Sequence, residues 1–289
     1  MGDAVVIWGE VLWDRFPDGD QLGGAPANVA WHLAQAGGWA QLVTRVGNDE
    51  LGRRAIEQMS RLIDTDLVQV DPERPTGEVT VQLERGEPRY KLQPGRAWER
   101  IECNGAVRAA LAQAGVLVYG TLAQRTPEGL QQWREAAGST KGTRVCDLNL
   151  RPGDDQLTGA ISEGIAAANI IKVNDRELAS LRDWLGWTDP IAQLRERARI
   201  VAVTHGAAGS TLHGEHGSYE IAATPSESGG DNVGCGDSYL AILVYGLTSG
   251  WDLETSGRAA SRWAAAVAGR RGATPVFDDD RIADLLEVA

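Results

Sequence analysis

The chain has 289 residues, which is enough for one large α/β domain or two small ones. Hydrophobic residues make up 43% and charged residues 24% of it, as is ordinary for a globular protein. The net charge of −12 argues against nucleic acid or an anionic membrane surface as a partner. No apolar run reaches membrane-spanning length, no signal-peptide pattern opens the chain, and three scattered cysteines fit neither a disulfide framework nor a zinc site. We therefore expect a cytoplasmic protein.

Short apolar, β-branched runs alternate with amphipathic segments along almost the whole chain. The runs predict strands at 4–8, 41–46, 116–119, 144–148, 169–173 and 199–204. The amphipathic segments predict helices that include 27–36, 51–62, 129–137 and 191–198. This alternation predicts a mainly parallel sheet covered on both faces, with ligands beyond the carboxyl ends of the strands. No low-complexity linker or repeat divides the chain, so residues 1–289 are expected to form one domain.

One segment departs from that alternation. Residues 76–92 (TGEVTVQLERGEPRYKL) alternate apolar and polar side chains, turn near Gly86, and alternate again. This pattern predicts a half-exposed β-hairpin. An isolated two-stranded hairpin needs a surface to pack against. It is expected to serve as a flap over a site, as a dimer interface, or as both.

The segment DNVGCGDSY, residues 231–239, precedes an apolar run that is typical of a helix. Gly234 and Gly236 lack a Cβ, so their backbone amides can turn toward one point, and a helix N-terminus adds unpaired N–H groups with partial positive charge. These features predict a phosphate receptacle in which Asp237 is a base for an attacking hydroxyl. The alternative is a plain helix start, with Asp237 near the N-cap and stabilised by the helix dipole.

A second glycine cluster, LGGAPANVAWHLAQAGG, occupies residues 22–38. Gly23 and Gly24 allow close backbone approach to a ligand, and Asn28 can both donate to and accept from a sugar hydroxyl. Asp14 follows the first strand and is expected to face the same crevice, where a carboxylate can bind two neighbouring hydroxyls. The alternative is a helix with a glycine-rich start and surface acids.

The pair GGAPAN and DNVGCGDSY resembles the two signatures of the ribokinase-like sugar kinases, the PfkB family. Intervening pieces match the family in order and spacing: RVGNDELG, PTGEV, DLNLRP, KVNDREL, VTHGAAGS and RRGA. Within that family, the segments GEVLWDRFPDG, GGAPAN and DLNLRP are most similar to those of bacterial fructokinases. The chain has neither the phosphate loop GxxxxGK[ST] nor a GxGxxG after its first strand, which argues against a P-loop kinase and a dinucleotide oxidoreductase.

The resemblance implies a role for each matching residue. The catalytic set is the base Asp237 and the anion hole Gly234, Cys235 and Gly236. The sugar-binding set is Asp14, Gly24 and Asn28, and Arg151 of DLNLRP is either a sugar or phosphate contact or a surface cap. The nucleotide-binding set is Thr204, Gly206, Gly209, Ser261 and Ala264. The metal set is Asn174 and Glu177 for Mg²⁺ through water, and Asp231 and Val233 for a monovalent cation such as K⁺.

The resemblance also implies the fold and the reaction. The fold is a ribokinase-like three-layer α/β/α sandwich, with a mainly parallel sheet and a small β-hairpin lid formed by residues 11–22 and 75–98. The activity is ATP-dependent phosphorylation of a primary hydroxyl of a small sugar, with fructose as the leading acceptor, and the lid is expected to join a homodimer. Alternatives are a kinase for another furanose, a sugar acid or a nucleoside, and a non-catalytic regulator on the same fold.

Cys235 stands where the family usually has alanine. One interpretation is a small apolar filler. The other is a reactive thiol whose pKa is lowered by the helix N-terminus.

Overall fold

The computed structural model describes residues 4–16, 19–84, 87–151, 153–226 and 229–287. Its strands in chain order are β1 (Val5–Trp8), β2 (Leu12–Phe16), β3 (Gly19–Gly23), β4 (Ala40–Gly47), β5 (Val68–Asp71), β6 (Gly77–Glu84), β7 (Glu87–Leu92), β8 (Val116–Tyr119), β9 (Thr143–Asp147), β10 (Ile170–Asn174), β11 (Ile200–Thr204), β12 (Ser210–Gly214) and β13 (Gly217–Ile221). Its helices are α1 (Ala25–Gln35), α2 (Glu50–Met59), α3 (Gly105–Gln113), α4 (Pro127–Ser139), α5 (Thr158–Ala167), α6 (Asp175–Leu185), α7 (Pro190–Arg195), α8 (Cys235–Thr248), α9 (Leu253–Ala268) and α10 (Asp279–Leu286).

Nine strands form the main sheet in the order β13-β12-β11-β10-β9-β8-β1-β4-β5. Six of its neighbouring pairs are parallel, from β11 through to β5. The predicted parallel sheet is therefore confirmed. Two antiparallel strands, β12 and β13, extend one edge, and β5 closes the other. These three strands were not predicted.

The strands of the main sheet are buried on both faces, which explains their continuous apolar sequences. In β1, Val6 and Trp8 pack into a core shared with α3 to α7, whereas Val5 and Ile7 pack into a core shared with α1, α2 and α8. A third cluster joins α8, α9 and α10 to β12. Helices therefore cover both faces, as in the predicted three-layer sandwich. Among the described residues, no helix combines the length and the apolar character needed to cross a membrane.

The predicted hairpin belongs to a second sheet of four strands, in the order β3-β2-β6-β7. Strands β6 and β7 pair antiparallel as expected, while the predicted turn at 85–86 lies outside the described residues. The partner surface that such a hairpin needs is β2, which pairs parallel with β6 from Leu12 opposite Gly77 to Arg15 opposite Thr80. Two segments far apart in the sequence thus complete one small sheet.

Helix α1 is hydrogen-bonded through His32 to Trp263 of α9 and to Ala273, which follows that helix. The His32 side chain is 0% exposed, and its Nδ1 accepts a hydrogen bond from Trp263 Nε1 at 3.1 Å. Since an indole N–H can only donate, the imidazole proton lies on Nε2, 2.8 Å from the carbonyl oxygen of Ala273. Burial lowers the pKa of His32 to about 4, against a weaker opposing effect of that carbonyl. The neutral ring is therefore part of the fold.

A His32→Gln variant tests these contacts through the pH dependence of stability. An unfolded histidine binds a proton near pH 6.5, whereas the folded one stays neutral until about pH 4. The contribution of His32 is therefore complete above pH 6.5 and is lost as the pH falls toward 4. We expect the free energy of unfolding of the wild type, relative to the variant, to fall by about 2 kcal/mol from pH 7 to pH 5. Urea titrations measure it.

The matched control is His216→Gln, because His216 is exposed. Its stability relative to wild type should not change over the same pH range. If the difference in free energy of unfolding between wild type and His32→Gln is also independent of pH, His32 is not held neutral.

Candidate active site

Helix α8 begins with its backbone amides uncapped. Gly234 is its N-cap, with φ 76° and no side-chain hydrogen bond to the first turn. A Cβ at Gly234 would lie 2.7 Å from Cα and Cβ of Ala273, so both the conformation and the space require glycine. The free amides of Cys235 and Gly236, together with the positive end of the helix dipole, can bind an oxyanion. This is the arrangement expected of the predicted anion hole.

Asp231 holds the loop in front of this helix. Its carboxylate accepts hydrogen bonds from the amides of Val233 at 3.0 Å and Gly272 at 3.1 Å, and its own amide donates to the carbonyl of Arg270 at 3.0 Å. One carboxylate oxygen thus orders the loop itself through Val233, while the other oxygen and the amide of Asp231 fasten the loop to residues 270–272. This structural role exists whether or not Asp231 and Val233 also contact a monovalent cation.

Asp237 lies in the first turn of α8 and faces helix α1. Its Oδ2 accepts a hydrogen bond from Asn28 Nδ2 at 2.8 Å, across a sequence separation of 209 residues. Burial and the charge of Asp147 raise the pKa of Asp237 to about 6, against the opposing effects of Lys172, Asn28 and Arg151. A carboxylate with this pKa is ionised at neutral pH and is more basic than an ordinary aspartate, as suits a general base.

The predicted sugar-binding residues lie on the same side of Asp237. Gly24 has φ 105°, and a Cβ there would lie 2.5 Å from the carbonyl oxygen of Glu10, so the chain passes closely over the residues that follow β1. Asp14 is half-buried on β2, and burial raises its pKa to about 6, with Arg151 opposing and Asp237 assisting the change. The charges of Arg151 and Asp237 thus reach Asp14, which places all three in one neighbourhood.

The guanidinium of Arg151 lies beside the buried carboxyl group of Glu10. Its Nη2 lies 3.7 Å from Oε1 of Glu10, which is 1% exposed. Three buried polar atoms here, Glu10 Oε2, Arg151 Nη1 and Asn28 Oδ1, have no hydrogen-bond partner in the described part of the chain. Buried polar atoms are costly when unpaired, so a hydroxyl-bearing ligand is the kind of group that would satisfy them. Glu10 was not singled out from the sequence, although it directly follows the strand that leads into Asp14.

Asn174 and Glu177 form a capping box at the start of α6. Asn174 Oδ1 accepts from the amide of Glu177 at 3.0 Å, and Glu177 Oε2 accepts from the amide of Asn174 at 2.8 Å. The other oxygen, Glu177 Oε1, accepts from the amide of Leu150 at 2.9 Å. Burial raises the pKa of Glu177 to about 7, with Lys172 opposing. Each oxygen already holds a backbone amide, so these side chains fit a hydrated Mg²⁺ through water better than a directly coordinated one. Among the described residues, no group of three or more His, Cys, Asp or Glu side chains could hold a metal ion.

The predicted nucleotide residues follow β11 and line α9. Thr204 ends β11, and a single helical turn separates Gly206 from Gly209. A Cβ at Gly209 would lie 2.1 Å from the carbonyl of Ile221, so this turn packs directly on the end of β13. Ser261 donates to the carbonyl of Ala222 at 3.1 Å and accepts from the amide of Thr224 at 3.2 Å.

Ser261 thereby fixes the segment after β13 against α9, while Ala264, one turn later, is half-buried. A cavity of about 140 Å³ opens nearby between Thr224, Arg262 and Leu285. It does not include Ser261 or Ala264. The structure thus gives Ser261 a packing role and leaves the adenine contact a prediction.

Two further charged residues near Asp237 were quoted only as parts of motifs. Asp147 ends β9 and Lys172 lies opposite it on β10, with Lys172 Nζ 3.0 Å from Oδ1 and 3.1 Å from Oδ2. The charges of both residues act on Asp237. Strand pairing brings them together from positions 25 residues apart. Because the pairing depends on the register of the two strands, no local sequence pattern could have revealed it.

Of the two interpretations of Cys235, the structure favours the packed filler. The thiol is half-buried, and burial raises its pKa to about 11, with the charges of Asp231 and Asp237 adding to the effect. The helix N-terminus would favour a thiolate, but the loss of hydration and the two carboxylates outweigh it. Cys235 therefore fits the interpretation as a small packed filler in the first turn of α8.

Comparisons with known proteins agree with this geometry. The sequence profile of the "pfkB family carbohydrate kinase" matches residues 19–280. A sugar kinase of Pyrococcus horikoshii is 27% identical over 93% of this chain and 86% of its own. A fructokinase of Klebsiella pneumoniae is 25% identical over 86% of both chains. Kinases named for other acceptors match similarly, among them an ATP-dependent ribose-1-phosphate kinase of Halopiger xanaduensis at 26% identity over 98% of this chain and 97% of its own.

A solved structure shows the same fold. The fructokinase of Xylella fastidiosa with bound ATP superimposes with a TM-score of 0.89 at 21% sequence identity, covering 99% of this chain and 98% of that one. The predicted ribokinase-like fold is confirmed.

Alkylation kinetics test the assignment of Cys235. A pKa of about 11 in place of 9.0 leaves about a hundredth of the thiolate at pH 7.5, so iodoacetamide should modify Cys235 on the order of 100-fold more slowly than a free thiol. The rate should rise with pH toward 11. Mass spectrometry of timed samples measures it, with glutathione as the reference thiol.

The matched control is Cys235→Ala, which should leave the total labelling at pH 7.5 almost unchanged, since Cys103 and Cys146 are buried with raised pKa values. Rapid labelling of Cys235 at neutral pH, suppressed by ATP, would restore the reactive interpretation.

Proposed function

Because the chain belongs to the pfkB family of carbohydrate kinases, we propose that it transfers the γ-phosphoryl group of ATP to a primary hydroxyl of a small neutral sugar, with fructose as the leading acceptor. The observation that carries the proposal is the position of Asp237. It lies beside the uncapped amides of α8 and is hydrogen-bonded to Asn28 of the glycine-rich segment. A base and an oxyanion receptacle are therefore one helical turn or less apart.

In the proposed reaction, Asp237 takes the proton of the attacking hydroxyl. That oxygen forms a bond to the γ-phosphorus while the bond from this phosphorus to the β,γ-bridging oxygen breaks, and ADP leaves. The backbone amides of Gly234, Cys235 and Gly236 bind the oxygens of the transferred group as its charge is redistributed. Thr204, Gly206, Gly209, Ser261 and Ala264 line the nucleotide.

Mg²⁺, when bound, neutralises the phosphate oxygens. The residues that would hold its water shell are Asn174 and Glu177, whose carboxylate is buried and shares the neighbourhood of Lys172 and Asp147. Asp231 and Val233 would contact a monovalent cation through the loop that Asp231 already orders.

The charges around Asp237 favour a neutral acceptor. On the sugar side, the described residues supply two carboxyl groups, Asp14 and Glu10, and one guanidinium, Arg151, which is already beside Glu10. A carboxylate or phosphate on the acceptor would be repelled there. Paired hydroxyls suit Asp14, Asn28 and the unpaired atoms of Glu10 and Arg151. A furanose such as fructose meets this demand, whereas a sugar acid does not.

The second sheet supports the lid assignment, because it carries a proposed sugar-binding residue. Asp14 lies in the middle of β2, between Gln21 of β3 and Val79 of β6. A movement of this sheet would therefore move Asp14 relative to Asp237, as closing over a sugar requires. We propose that residues 11–22 and 75–98 form this lid, that it also joins two subunits, and that the kinase works in the cytoplasm.

Substituting the base tests the chemistry. Asp237→Asn should lower kcat by roughly 10²–10⁴-fold, because an amide cannot take the proton, and should leave the KM for sugar and ATP within a few-fold. ADP formation is measured with fructose, ribose, gluconate and adenosine as acceptors. We expect fructose to give the highest kcat/KM and gluconate the lowest.

The matched control is Asp183→Asn on the exposed face of α6, which should behave as wild type. Wild-type kcat in folded Asp237→Asn would exclude Asp237 as the base. A wild type that transfers phosphate to none of the four acceptors would favour another substrate class or the non-catalytic alternative.

The pH dependence provides a separate test. Asp237 must be ionised to accept a proton, and its pKa is about 6. The acid limb of kcat should therefore fall near pH 6, and not near 4 as for an ordinary aspartate. Asp14 has a similar pKa, so the Asp14→Asn variant serves as the control. It should keep the acid limb of kcat, although its sugar KM rises. Loss of that limb in Asp14→Asn would assign it to Asp14 instead.

A further inference from the structure

Lys172 and Asp147 form a buried ion pair next to the first turn of α8. They are register partners on the parallel strands β10 and β9, and each side chain is 5% exposed. The ammonium lies 3.0 Å and 3.1 Å from the two carboxylate oxygens. Such a pair gains little net stability over packed apolar residues, because removing both charges from water is costly. Its presence in this layer of the fold calls for another reason.

The position of the ammonium supplies that reason. A Cβ at Gly236 would lie 2.9 Å from Lys172 Nζ, so the cation rests against the backbone of the first turn of α8. A positive charge beside a helix N-terminus opposes the helix dipole and does not stabilise the helix. What it does is add to the positive potential at the amides of that turn.

Gly236 is explained by the same contact. Its φ is not in the left-handed region, so its backbone conformation would admit any residue. An added methyl group would lie 2.9 Å from Lys172 Nζ, so it would displace the ammonium from the helix. Glycine at this position thus permits the ammonium to lie close to the backbone of the first turn of α8.

We propose that Lys172, held by Asp147, is a positioning residue for phosphoryl transfer that strengthens the anion hole through the backbone of Gly236. It does not touch the substrate. Its fixed charge stabilises the transferred group as that group passes between ADP and the sugar, and it offsets the carboxylates of Glu177 and Asp237 that would repel an incoming phosphate. This inference rests on the proposed function, because it needs a phosphoryl group at the amides of α8.

The test removes both charges and keeps the hydrogen bond. In the double variant Asp147→Asn/Lys172→Gln, the glutamine amide can donate to the asparagine carbonyl, so neither member of the pair is left charged opposite a neutral partner. We expect kcat to fall roughly 10- to 100-fold while the KM for sugar and for ATP stays within threefold, because the charge acts mainly in the transition state. The single variant Lys172→Gln, which leaves Asp147 uncompensated, should lose more than the double variant.

The matched control is another ion pair in the sheet, formed by the half-buried Arg45 and the buried Asp71, whose atoms Nε and Oδ2 are 3.0 Å apart. Its neutral version, Asp71→Asn/Arg45→Gln, should keep kcat within threefold of wild type even if its melting temperature falls. Wild-type kcat in the folded Asp147→Asn/Lys172→Gln variant would overturn the proposal. If wild type itself phosphorylates no acceptor, the proposed function is what fails.

A second measurement serves if the double variant does not fold. In Lys172→Ala, methylammonium chloride should raise kcat at least fivefold by returning an ammonium group to the site, whereas tetramethylammonium chloride at equal ionic strength should not. Equal rates with the two salts would contradict a role for the ammonium.

Discussion

Anionic side chains crowd the place where, on our account, a phosphate has to bind. Asp147 is the last residue of β9, and Glu177 lies in the first turn of α6, just beyond the end of β10. Asp237 lies in the first turn of α8, in the facing layer. Burial, with the charge of Asp147 adding to it, raises the pKa of Asp237 to about 6 and that of Glu177 to about 7. Such a cluster is tolerable only with compensation, and the fold supplies it from three sources.

The first source is the N-terminus of α8, where no side chain at the N-cap accepts a hydrogen bond from the first backbone amides. The second is Lys172, which lies close to both Asp147 and Gly236. The third is Arg151, whose charge reaches Glu10, Asp14 and Asp237. A bound Mg²⁺ would add to these. The same compensation that offsets repulsion among these carboxylates therefore makes the site receptive to a phosphoryl group, and the raised pKa of Asp237 makes that residue a stronger base.

Helix α1 sets the geometry between the two halves of the site. Within 11 residues it presents Asn28 to Asp237, His32 to the carbonyl of Ala273, and Gln35 to the carbonyl of Pro275 and the amide of Phe277. Ala273 in turn packs against Gly234. One rigid helix thus positions the base, the wall of the anion hole and the segment behind it, which explains why buried polar residues interrupt an otherwise apolar helix face.

Much of this was predictable from sequence, and the failures have physical causes. Strong local patterns predicted the parallel strands and the uncapped start of α8, since burial on both faces and glycine geometry are properties of single segments. The edge strand β5 was missed because it has four residues and only Asp71 among them is buried. The pairing of Lys172 with Asp147 depends on strand register, which no local pattern reports. The two interpretations of Cys235 stayed open at the level of sequence because the helix dipole is evident there, whereas burial and two neighbouring carboxylates are not.

A crystal structure with a non-hydrolysable ATP analogue and fructose would test the central claim most directly. We predict that an oxygen of the γ-phosphate lies within about 3.2 Å of the amides of Cys235 or Gly236, and that a primary hydroxyl of fructose lies within about 3.2 Å of the Asp237 carboxylate. A γ-phosphate bound away from the start of α8, or a sugar hydroxyl activated by a different side chain, would contradict the account.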